Sequence, residues 1–425
     1  MSEQINSKAL ENAFNSVPES ERKSLISLTV VLAGYPIALS NFVVGGAVGV
    51  GMTFKNALIT LLVANAILIG VVLATGYKAY KTGLSTSFLS RRVFGKKGST
   101  VFSILLALSS VTWISLNGDI FARLIDSTFS WWPIPVSITA ILCIALWTQS
   151  AIRGYKGLEI VSYLGVPAAL ILSIVGVIAV GKESGGYGAV LSYVPATSLS
   201  FTAGTASIIG SWIFGATITP DVCRFARRTR DLIIAGIVAF SIGCFGLQLA
   251  GALVGIATGN GDFTAAMNAL GLGLLAFFAS IFCLWTTQDN NIYGASLAIQ
   301  NVLDDTPLKG KVQHKHIALA VACLAAIFAA LGIFNYLLPI IQFLSVLIPP
   351  VPGLLIAEEF FIKNSKENLK TNPVAMVSWV LAGVISYIAL KIDFFVPPII
   401  GMISSIILYV ILSKIFDAKI AVAEN

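Results

Sequence analysis

Residues 33–46 read AGYPIALSNFVVGG, and they interrupt an apolar segment that extends from residue 26 to residue 50. Gly34 and Pro36 lie well inside that segment. Because proline has no backbone N–H and clashes with the preceding turn, a helix is expected to break there. A helix broken inside a membrane exposes carbonyl and amide groups that transporters commonly use to bind an ion and a substrate. The stretch therefore predicts a broken helix, and such a break would indicate a transport site only if the chain spans a membrane.

Apolar residues make up 56% of the 425-residue chain and charged residues 11%, and the mean hydropathy is +0.88. Soluble domains hold roughly 25% charged residues, so this composition predicts an integral membrane protein. The apolar runs have the length of transmembrane helices rather than of the shorter alternating strands of a barrel. We predict an all-α polytopic membrane protein with twelve spans, numbered in chain order: 26–50, 55–77, 101–123, 133–150, 158–181, 201–220, 232–258, 268–300, 317–334, 336–361, 374–391 and 395–415.

The basic residues predict the orientation of these spans. With the N-terminus in the cytoplasm, 23 of the 27 Lys and Arg residues fall in segments on the cytoplasmic side, and only Lys55, Arg123, Lys182 and Lys391 fall on the other side. Cytoplasmic loops of membrane proteins are enriched in Lys and Arg, so both termini are expected in the cytoplasm. The net charge of +7 then follows from topology and contact with the lipid bilayer rather than from binding to nucleic acid.

Span 6 carries a glycine-rich stretch that resembles the interruption in span 1. Residues 202–217 read TAGTASIIGSWIFGAT, and we expect a second break there. Breaks five spans apart are typical of transporters built from two repeats, and an odd number of helices per repeat makes the two repeats inverted. The alternative is that glycine and proline are simply common in membrane helices. The predicted organisation is a cytoplasmic N-terminal segment (1–25), two inverted repeats (26–181 and 201–361), two further helices (374–415) and a cytoplasmic C-terminal tail (416–425).

Polar residues also lie inside spans 3 and 8. Residues 108–119 read LSSVTWISLNGD, in which Ser110, Trp113 and Asn117 share one helical face. Residues 283–291 read CLWTTQDNN, in the middle of an otherwise apolar segment. Polar groups are costly inside a bilayer unless they face a partner or a cavity. The two stretches therefore predict a buried polar site between these spans.

One face of span 8 carries Cys283, Thr286, Thr287 and Asn290. Two threonine hydroxyls, together with backbone oxygens from a neighbouring broken helix, are neutral ligands that suit Na⁺ better than Ca²⁺ or Mg²⁺. The alternative is that both hydroxyls bond to carbonyls one turn earlier in their own helix. The residues alone leave both interpretations open.

These features favour a secondary transporter over other classes. The sequence has no phosphate-binding loop of the GxxxxGK[ST] type. Its two histidines, His314 and His316, fall in a predicted cytoplasmic loop, which argues against most intramembrane enzymes. A channel needs a continuous polar pore, whereas the polar residues here cluster at one depth. We therefore expect a transporter and not an enzyme.

Five stretches in order along the chain are characteristic of a known family: RRVFGKKGS, SSVTW, GSWIFGATITPDVCRFAR, LWTTQDNNIYGA and LIPPVPGLLIAEEF. Together they resemble nucleobase-cation symporter family 1, and within it the bacterial cytosine permeases, over about residues 15–415. The resemblance implies twelve helices, of which the first ten form the five-plus-five inverted repeat of LeuT-like transporters of the APC superfamily. It also implies import of a nucleobase or related compound with a cation across the bacterial inner membrane, by a chain that we expect to function as a monomer.

The resemblance further implies which residues bind the coupling ion. Na⁺ is expected to be bound by two side-chain hydroxyls and three backbone carbonyls. The hydroxyls are those of Thr286 and Thr287, and the carbonyls are those of Gly34, Ile37 and Cys283.

The substrate is expected between two aromatic rings, with hydrogen bonds at the edge of its own ring. The rings are those of Trp113 and Trp212, and the polar contacts are expected from Ser110, Gly210, Ser211 and Gln288. Cytosine permeases usually have Gln, Phe and Asn where this chain has Ser110, Trp212 and Gln288. These departures leave three substrates open: cytosine, hydroxymethylpyrimidine, which is a precursor of thiamine, or a purine. Coupling to H⁺ instead of Na⁺ is the alternative for the ion.

Four charged residues lie near the predicted site. Asp119 and Asp289 are expected to be paired structural carboxylates, with a proton-linked or gating role as the alternative. Asp221 and Arg224, at the cytoplasmic end of span 6, are expected to form a loop charge network.

Overall fold

The computed structural model describes residues 16–183, 185–304, 306–362 and 369–423. These residues are almost entirely helical, as predicted, and they include one isolated bridge between Lys23 and Ala226. The predicted end segments 1–25 and 416–425 lie partly outside the described residues, and their assignment stays a prediction.

Every predicted span falls on one or more helices. Their bounds are Leu25–Gly34 and Leu39–Val50 in span 1, Phe54–Thr82 in span 2, Thr86–Thr128 in span 3, Val136–Ala151 in span 4, Tyr155–Val180 in span 5, Phe201–Ile218 and Pro220–Cys223 in span 6, Thr229–Phe240, Ser241–Gly246 and Leu247–Thr258 in span 7, Gly273–Leu303 in span 8, His314–Ala330 in span 9, Leu337–Leu347 and Pro350–Phe360 in span 10, Pro373–Lys391 in span 11 and Pro397–Ala423 in span 12. The described residues also contain four short helices that precede, connect or partly overlap the predicted spans: Glu19–Glu21, Gly186–Leu191, Phe263–Ala269 and Ile333–Tyr336.

By length and apolar composition, eight of the described helices could cross a membrane, or nine if the bent pair of span 1 counts as one. Val136–Ala151 and His314–Ala330 are apolar but shorter. The helix of span 8 is long enough at 31 residues, but it carries the polar stretch of residues 286–291. The count of twelve spans and the boundaries of the two repeats therefore stay predictions.

Span 1 is broken at the predicted place. The helices Leu25–Gly34 and Leu39–Val50 meet at an angle of 61°. Ser24 begins the first helix, and its hydroxyl accepts a hydrogen bond from the N–H of Ser27. Between the two helices Pro36 has no N–H to donate, while its carbonyl accepts from the N–H of Ala38 at 2.9 Å. The break is therefore a tight turn held by its own backbone and by neighbouring spans.

The predicted break in span 6 is wrong. Its helix runs without interruption from Phe201 to Ile218, and the next helix begins only at Pro220. Glycine permits a break but does not force one, since it keeps the N–H that proline lacks. The glycines of span 6 instead permit close packing, for example of Gly204 against Met52 and Thr60.

Span 7 holds the second half of span 1 by a backbone-to-backbone contact. Gly45 and Gly49 are four residues apart and face the carbonyls of Gln248 and Ala252, while Gly251 and Gly255 face Phe42 and Gly46. Such paired small residues let two membrane helices approach closely. Span 7 also contains a π-helical segment, Ser241–Gly246, immediately before this contact.

Span 3 is fixed to span 8 where the latter ends. Arg91 Nη1 lies 2.8 Å from Asp304 Oδ2, and Arg91 Nε donates to Asn301 Oδ1 at 2.5 Å. Lys309 Nζ lies 2.7 Å from Asp304 Oδ1. Although partial burial opposes ionisation, hydrogen bonds from Lys309 and Arg91 lower the pKa of Asp304 below its usual value. These contacts help to hold together the two spans that carry most of the predicted site.

Replacing Gly251 with Val is expected to destabilise the protein, because the added side chain overlaps the carbonyl of Phe42 and pushes span 7 away from span 1. Overpacking of this kind costs about 1–3 kcal/mol. Gly70→Val is the matched control, since a Cβ at Gly70 meets no atom within 4 Å. The measurement is thermal unfolding of the purified protein in detergent. Equal melting temperatures for the two variants would contradict the close contact.

Candidate functional site

The broken part of span 1 meets span 8 at Thr287. Thr287 Oγ1 lies 2.8 Å from the carbonyl oxygen of Ile37 and 3.1 Å from that of Cys283. Thr287 thus bonds back to its own helix, as membrane threonines often do, and also reaches across to span 1. Since a hydroxyl has one proton, it can donate to only one of these carbonyls at a time and keeps lone pairs for another partner.

Thr286 lies beside the same region but has a different partner. Its Oγ1 is 2.7 Å from Ser162 Oγ of span 5. A Cβ on Gly34 would overlap both of these hydroxyl oxygens, so span 1 can approach spans 5 and 8 this closely only with glycine at position 34. The structure therefore brings together all five residues predicted to bind the ion: Gly34, Ile37, Cys283, Thr286 and Thr287.

Ser162 was missed by the sequence reasoning, although it contributes a fully buried hydroxyl to this cluster. Its signal in the sequence is weak, because one serine in an apolar span usually bonds to its own helix. With Ser162 included, the cluster offers neutral hydroxyl and carbonyl oxygens from spans 1, 5 and 8. Among the described residues no group of three or more His, Cys, Asp or Glu side chains could hold a metal ion. The chemistry of the cluster thus suits a monovalent cation better than a divalent one.

A cavity lies directly beside this cluster. Its lining comes from spans 1, 3, 6 and 8, and none of the described residues in it has a charged side chain: Tyr35, Ala38, Ser40, Trp113, Asn117, Ser211, Trp212, Phe214, Gly215, Thr287 and Asn291. The volume of the cavity is about 20 Å³, which is room for about one or two waters. Side chains must therefore move apart before the cavity can admit a heterocyclic ring.

Three of the six residues predicted to bind the substrate line this cavity, namely Trp113, Ser211 and Trp212. Both tryptophans are at least nine-tenths buried, and neither indole N–H has a hydrogen-bond partner among the described residues. The side chain of Ser211 is turned to its own helix, since its hydroxyl donates to the carbonyl of Ile208 at 2.8 Å.

The other three predicted residues, Ser110, Gly210 and Gln288, lie outside the lining. Gln288 Nε2 donates to the carbonyl of Ile114 in span 3 at 2.8 Å, which ties span 8 to span 3. Gly210 sits in the uninterrupted helix of span 6, so the predicted break does not expose its backbone. A contact of these residues with a substrate stays a prediction.

Two amide side chains outside the predicted substrate-binding set lie at the cavity. Asn117 and Asn291 both line the cavity, and Asn117 Oδ1 is buried with no hydrogen-bond partner among the described residues. Asn291 follows Thr287 by four residues and so lies on the same face of span 8. That spacing was available in the sequence and identifies Asn291, whereas Gln288 is rotated about 100° from Thr287.

The charged residues near the site are paired or buried. Asp119 Oδ1 accepts from Arg123 Nε at 2.8 Å, as expected for a paired carboxylate. Asp289 Oδ1 accepts from the hydroxyl of Ser150 at 2.8 Å, while its Oδ2 is buried without a hydrogen-bond partner in the described part of the chain. Asp289 therefore has a neutral partner rather than the paired charge that was expected.

The expected loop charge network of Asp221 and Arg224 is buried inside the protein rather than exposed in a loop. Asp221 Oδ1 accepts from the backbone N–H of Thr86 at 2.7 Å, and Arg224 Nη2 donates to Tyr293 Oη at 2.8 Å. The network thus links the start of the span 3 helix and the end of span 6 to span 8.

Comparison with known proteins agrees with this architecture and with the resemblance noted in the sequence. The cytosine permease of Escherichia coli strain K12 is 28% identical over 419 residues, and the match covers 97% of each chain. The cytosine permease of Escherichia coli O157:H7 matches equally well. These relatives are permeases rather than enzymes.

Three solved structures share the fold. Mhp1, a nucleobase-cation-symport-1 family transporter in a closed conformation with bromovinylhydantoin bound, is 15% identical with a TM-score of 0.78 and covers 94% of each chain. Its inward-facing conformation has the same TM-score at 16% identity, covering 95% of this chain and 93% of Mhp1. A Na⁺-coupled sialic acid symporter is 14% identical with a TM-score of 0.70, covering 97% of this chain and 96% of the symporter. At these identities the likeness shows the fold alone, and it confirms the predicted LeuT-like architecture.

The family model described as permease for cytosine/purines, uracil, thiamine, allantoin matches residues 16–408. Because this match covers most of the chain, the protein belongs to that family of membrane permeases.

Proposed function

We propose that this protein is a secondary active importer that carries a flat, neutral nucleobase-type heterocycle together with Na⁺ by alternating access. The observation that carries the proposal is that Thr287 borders both the predicted ion cluster and the cavity. Its hydroxyl lies 2.8 Å from the Ile37 carbonyl in the predicted ion cluster, and the same residue lines the cavity. One side chain therefore borders both proposed ligands, which is the geometry that coupling between them needs.

The lining of the cavity supports the substrate class. Trp113 and Trp212 offer aromatic surfaces on which a planar ring can stack, worth about 1–3 kcal/mol per ring by analogy with nucleic-acid bases. Asn117 and Asn291 offer amide donors and acceptors to the edge of such a ring. Because the lining carries no charge to pair with a carboxylate or an ammonium group, a neutral ligand fits it best.

The identity of the ring is a separate proposal. Cytosine is supported by the curated relatives, whereas Ser110, Trp212 and Gln288 depart from the residues usual in cytosine permeases. Of these three only Trp212 lines the cavity, and a Trp in place of Phe changes the stacking surface. Hydroxymethylpyrimidine and a purine are therefore the alternatives to test beside cytosine.

Coupling to Na⁺ is supported by the neutral oxygens of the ion cluster and by a fold neighbour described as Na⁺-coupled. One Na⁺ entering down a potential of about 100 mV releases roughly 2.3 kcal/mol, and a tenfold Na⁺ gradient adds about 1.4 kcal/mol. Together these would support about 500-fold accumulation of a neutral substrate. H⁺ is the alternative coupling ion, and Asp289 is the residue that favours it, since one of its buried oxygens has no partner among the described residues.

The charge distribution supports the bacterial inner membrane as the location, with both termini in the cytoplasm. The 23 basic residues on the proposed cytoplasmic side, against four on the other, are the basis for this orientation. We further propose that the chain functions as a monomer, as the resemblance to nucleobase-cation symporter family 1 implies.

Replacing Thr287 with Val should weaken the response to Na⁺ by at least about tenfold, because the variant keeps the shape of the side chain but loses an oxygen bonded to the ion. The measurement is a Na⁺ titration of the purified protein in choline-containing buffer, followed by tryptophan fluorescence and by melting temperature. Thr75→Val is the matched control, since Thr75 is equally buried and bonds to the Val71 carbonyl of its own helix. An unchanged Na⁺ half-saturation in Thr287→Val would remove the proposed site.

Replacing Trp113 or Trp212 with Ala should weaken substrate binding about 10- to 100-fold, because each change removes one stacking surface. Binding is measured as a thermal shift with cytosine, hydroxymethylpyrimidine, adenine and a hydantoin, in Na⁺ and in K⁺. Trp131→Ala is the control, since Trp131 is 71% exposed and follows span 3. Full affinity in both cavity variants would show that the substrate binds elsewhere. A wild-type protein that is stabilised by these compounds to the same extent in Na⁺ and K⁺ would rule out Na⁺ coupling.

A further inference from the structure

Three buried amide side chains form a continuous chain of hydrogen bonds between spans 2, 7 and 1. Asn65 Nδ2 donates to Gln248 Oε1 at 2.7 Å, and Gln248 Nε2 donates to Asn41 Oδ1 at 2.7 Å. Asn41 Nδ2 then lies 2.5 Å from the carbonyl oxygen of Pro36. All three side chains are at most 2% exposed. We call Asn65, Gln248 and Asn41 the amide relay.

The relay has a single direction. Each amide donates from its nitrogen to the oxygen of the next, and the last donation ends on a backbone carbonyl inside the break of span 1. Turning the Gln248 amide around would place donor against donor on the Asn65 side and acceptor against acceptor on the Asn41 side. The orientation of Asn65 is supported by its second bond, to the Leu61 carbonyl of span 2 at 2.8 Å. The relay is thus a defined network rather than a set of loose polar contacts.

The relay ends next to the ion cluster. Pro36 precedes Ile37, whose carbonyl lies 2.8 Å from Thr287 Oγ1. Since the peptide bond is planar, a fixed Pro36 carbonyl also fixes the N–H of Ile37, which donates to Ala33 at 3.2 Å. Asn41 has a second acceptor in the carbonyl of Gly243, which lies in the π-helical segment of span 7. The turn that presents the Ile37 carbonyl is therefore held from outside span 1.

None of the relay residues is among those that line the cavity. Burying these amides costs free energy unless every one of their polar atoms is hydrogen-bonded. An apolar side chain at the same position would avoid that cost. A relay that only bridged spans 2 and 7 would not need Asn41 or the Pro36 carbonyl. The contacts instead lead to the segment whose carbonyl faces Thr287.

We propose that the amide relay positions the proposed cation site: Asn65 and Gln248, neither of them an ion ligand, hold Asn41 so that the Pro36 turn presents the Ile37 carbonyl to the ion. This inference rests on the proposed Na⁺-coupled function. It makes the affinity for Na⁺ depend on side chains in spans 2 and 7 that touch neither ligand.

Gln248→Leu tests the relay, because leucine fills similar space but leaves Asn41 without its donor. The Na⁺ half-saturation concentration should rise about 5- to 20-fold, because the loss of one buried hydrogen bond in the relay should weaken Na⁺ binding by that factor. At saturating Na⁺, the affinity for the compound that best stabilises the wild type should change by less than about twofold. Na⁺ titrations by tryptophan fluorescence give the first value, and binding at high Na⁺ gives the second.

Gln300→Leu is the matched control. Gln300 is also a buried glutamine at 2% exposed, it lies near the end of span 8, and its amide has no hydrogen-bond partner among the described residues. The same substitution there should leave the Na⁺ half-saturation unchanged. A shift of equal size in both variants would mean that loss of any buried amide has this effect, and it would overturn the proposal.

Asn65→Ala provides a second variant at the far end of the relay, and it decides the question if Gln248→Leu does not fold. Asn65→Ala should also raise the Na⁺ half-saturation concentration, but by a smaller factor than Gln248→Leu. The double variant should raise it little further than Gln248→Leu alone, since both changes interrupt one network. Multiplicative effects in the double variant, or unchanged Na⁺ affinity in both single variants, would overturn the relay.

The two proposals fail in different ways. A wild-type protein that does not respond to Na⁺ contradicts the proposed function, and the inference fails with it. A wild type that responds to Na⁺ and loses that response on Thr287→Val, while both relay variants keep it, contradicts the relay alone.

Discussion

A backbone that unwinds inside a membrane must find hydrogen-bond partners in the protein, because hydrocarbon supplies none. Residues 35–38 meet this constraint from several directions. The Pro36 carbonyl is approached by Asn41 and by the N–H of Ala38, and the Ile37 carbonyl lies within hydrogen-bond distance of Thr287. The rest of the central structure depends on satisfying this short segment, because the ion cluster and the cavity both include residues from it.

Close packing of glycines makes that arrangement possible. Gly34 allows the first half of span 1 to lie against Thr286 and Ser162, and Gly45 and Gly49 allow the second half to lie against span 7. Side chains at these positions would separate the helices and lengthen the contacts on which the break depends. Small residues and buried amides thus have complementary roles, since the former bring the backbones together and the latter supply the missing hydrogen bonds.

The site itself was partly predictable from the sequence. Cys283 and Thr287 are four residues apart, so their shared face followed from helical geometry, and Pro36 marked the break that brings Ile37 to them. The second break, in span 6, was not correctly predicted, because the glycines there serve packing and the helix keeps its hydrogen bonds. Asn117 and Asn291 line the cavity and Gln288 does not, so the contact of Gln288 with a substrate stays a prediction.

The sequence by itself determined that the chain is a helical membrane protein with a broken first span, because composition and proline chemistry act locally and need no knowledge of packing. It also contained the polar residues of spans 3 and 8, since such groups are too costly inside a bilayer to be there without a partner. Only the tertiary structure decided which partners they have. Asn41 and Gln248, which share a hydrogen bond in the amide relay, are 207 residues apart in the sequence. Ser162 is 124 residues from its partner Thr286. Contacts of this kind depend on the relative rotation and height of whole helices, which packing sets and local sequence patterns do not specify.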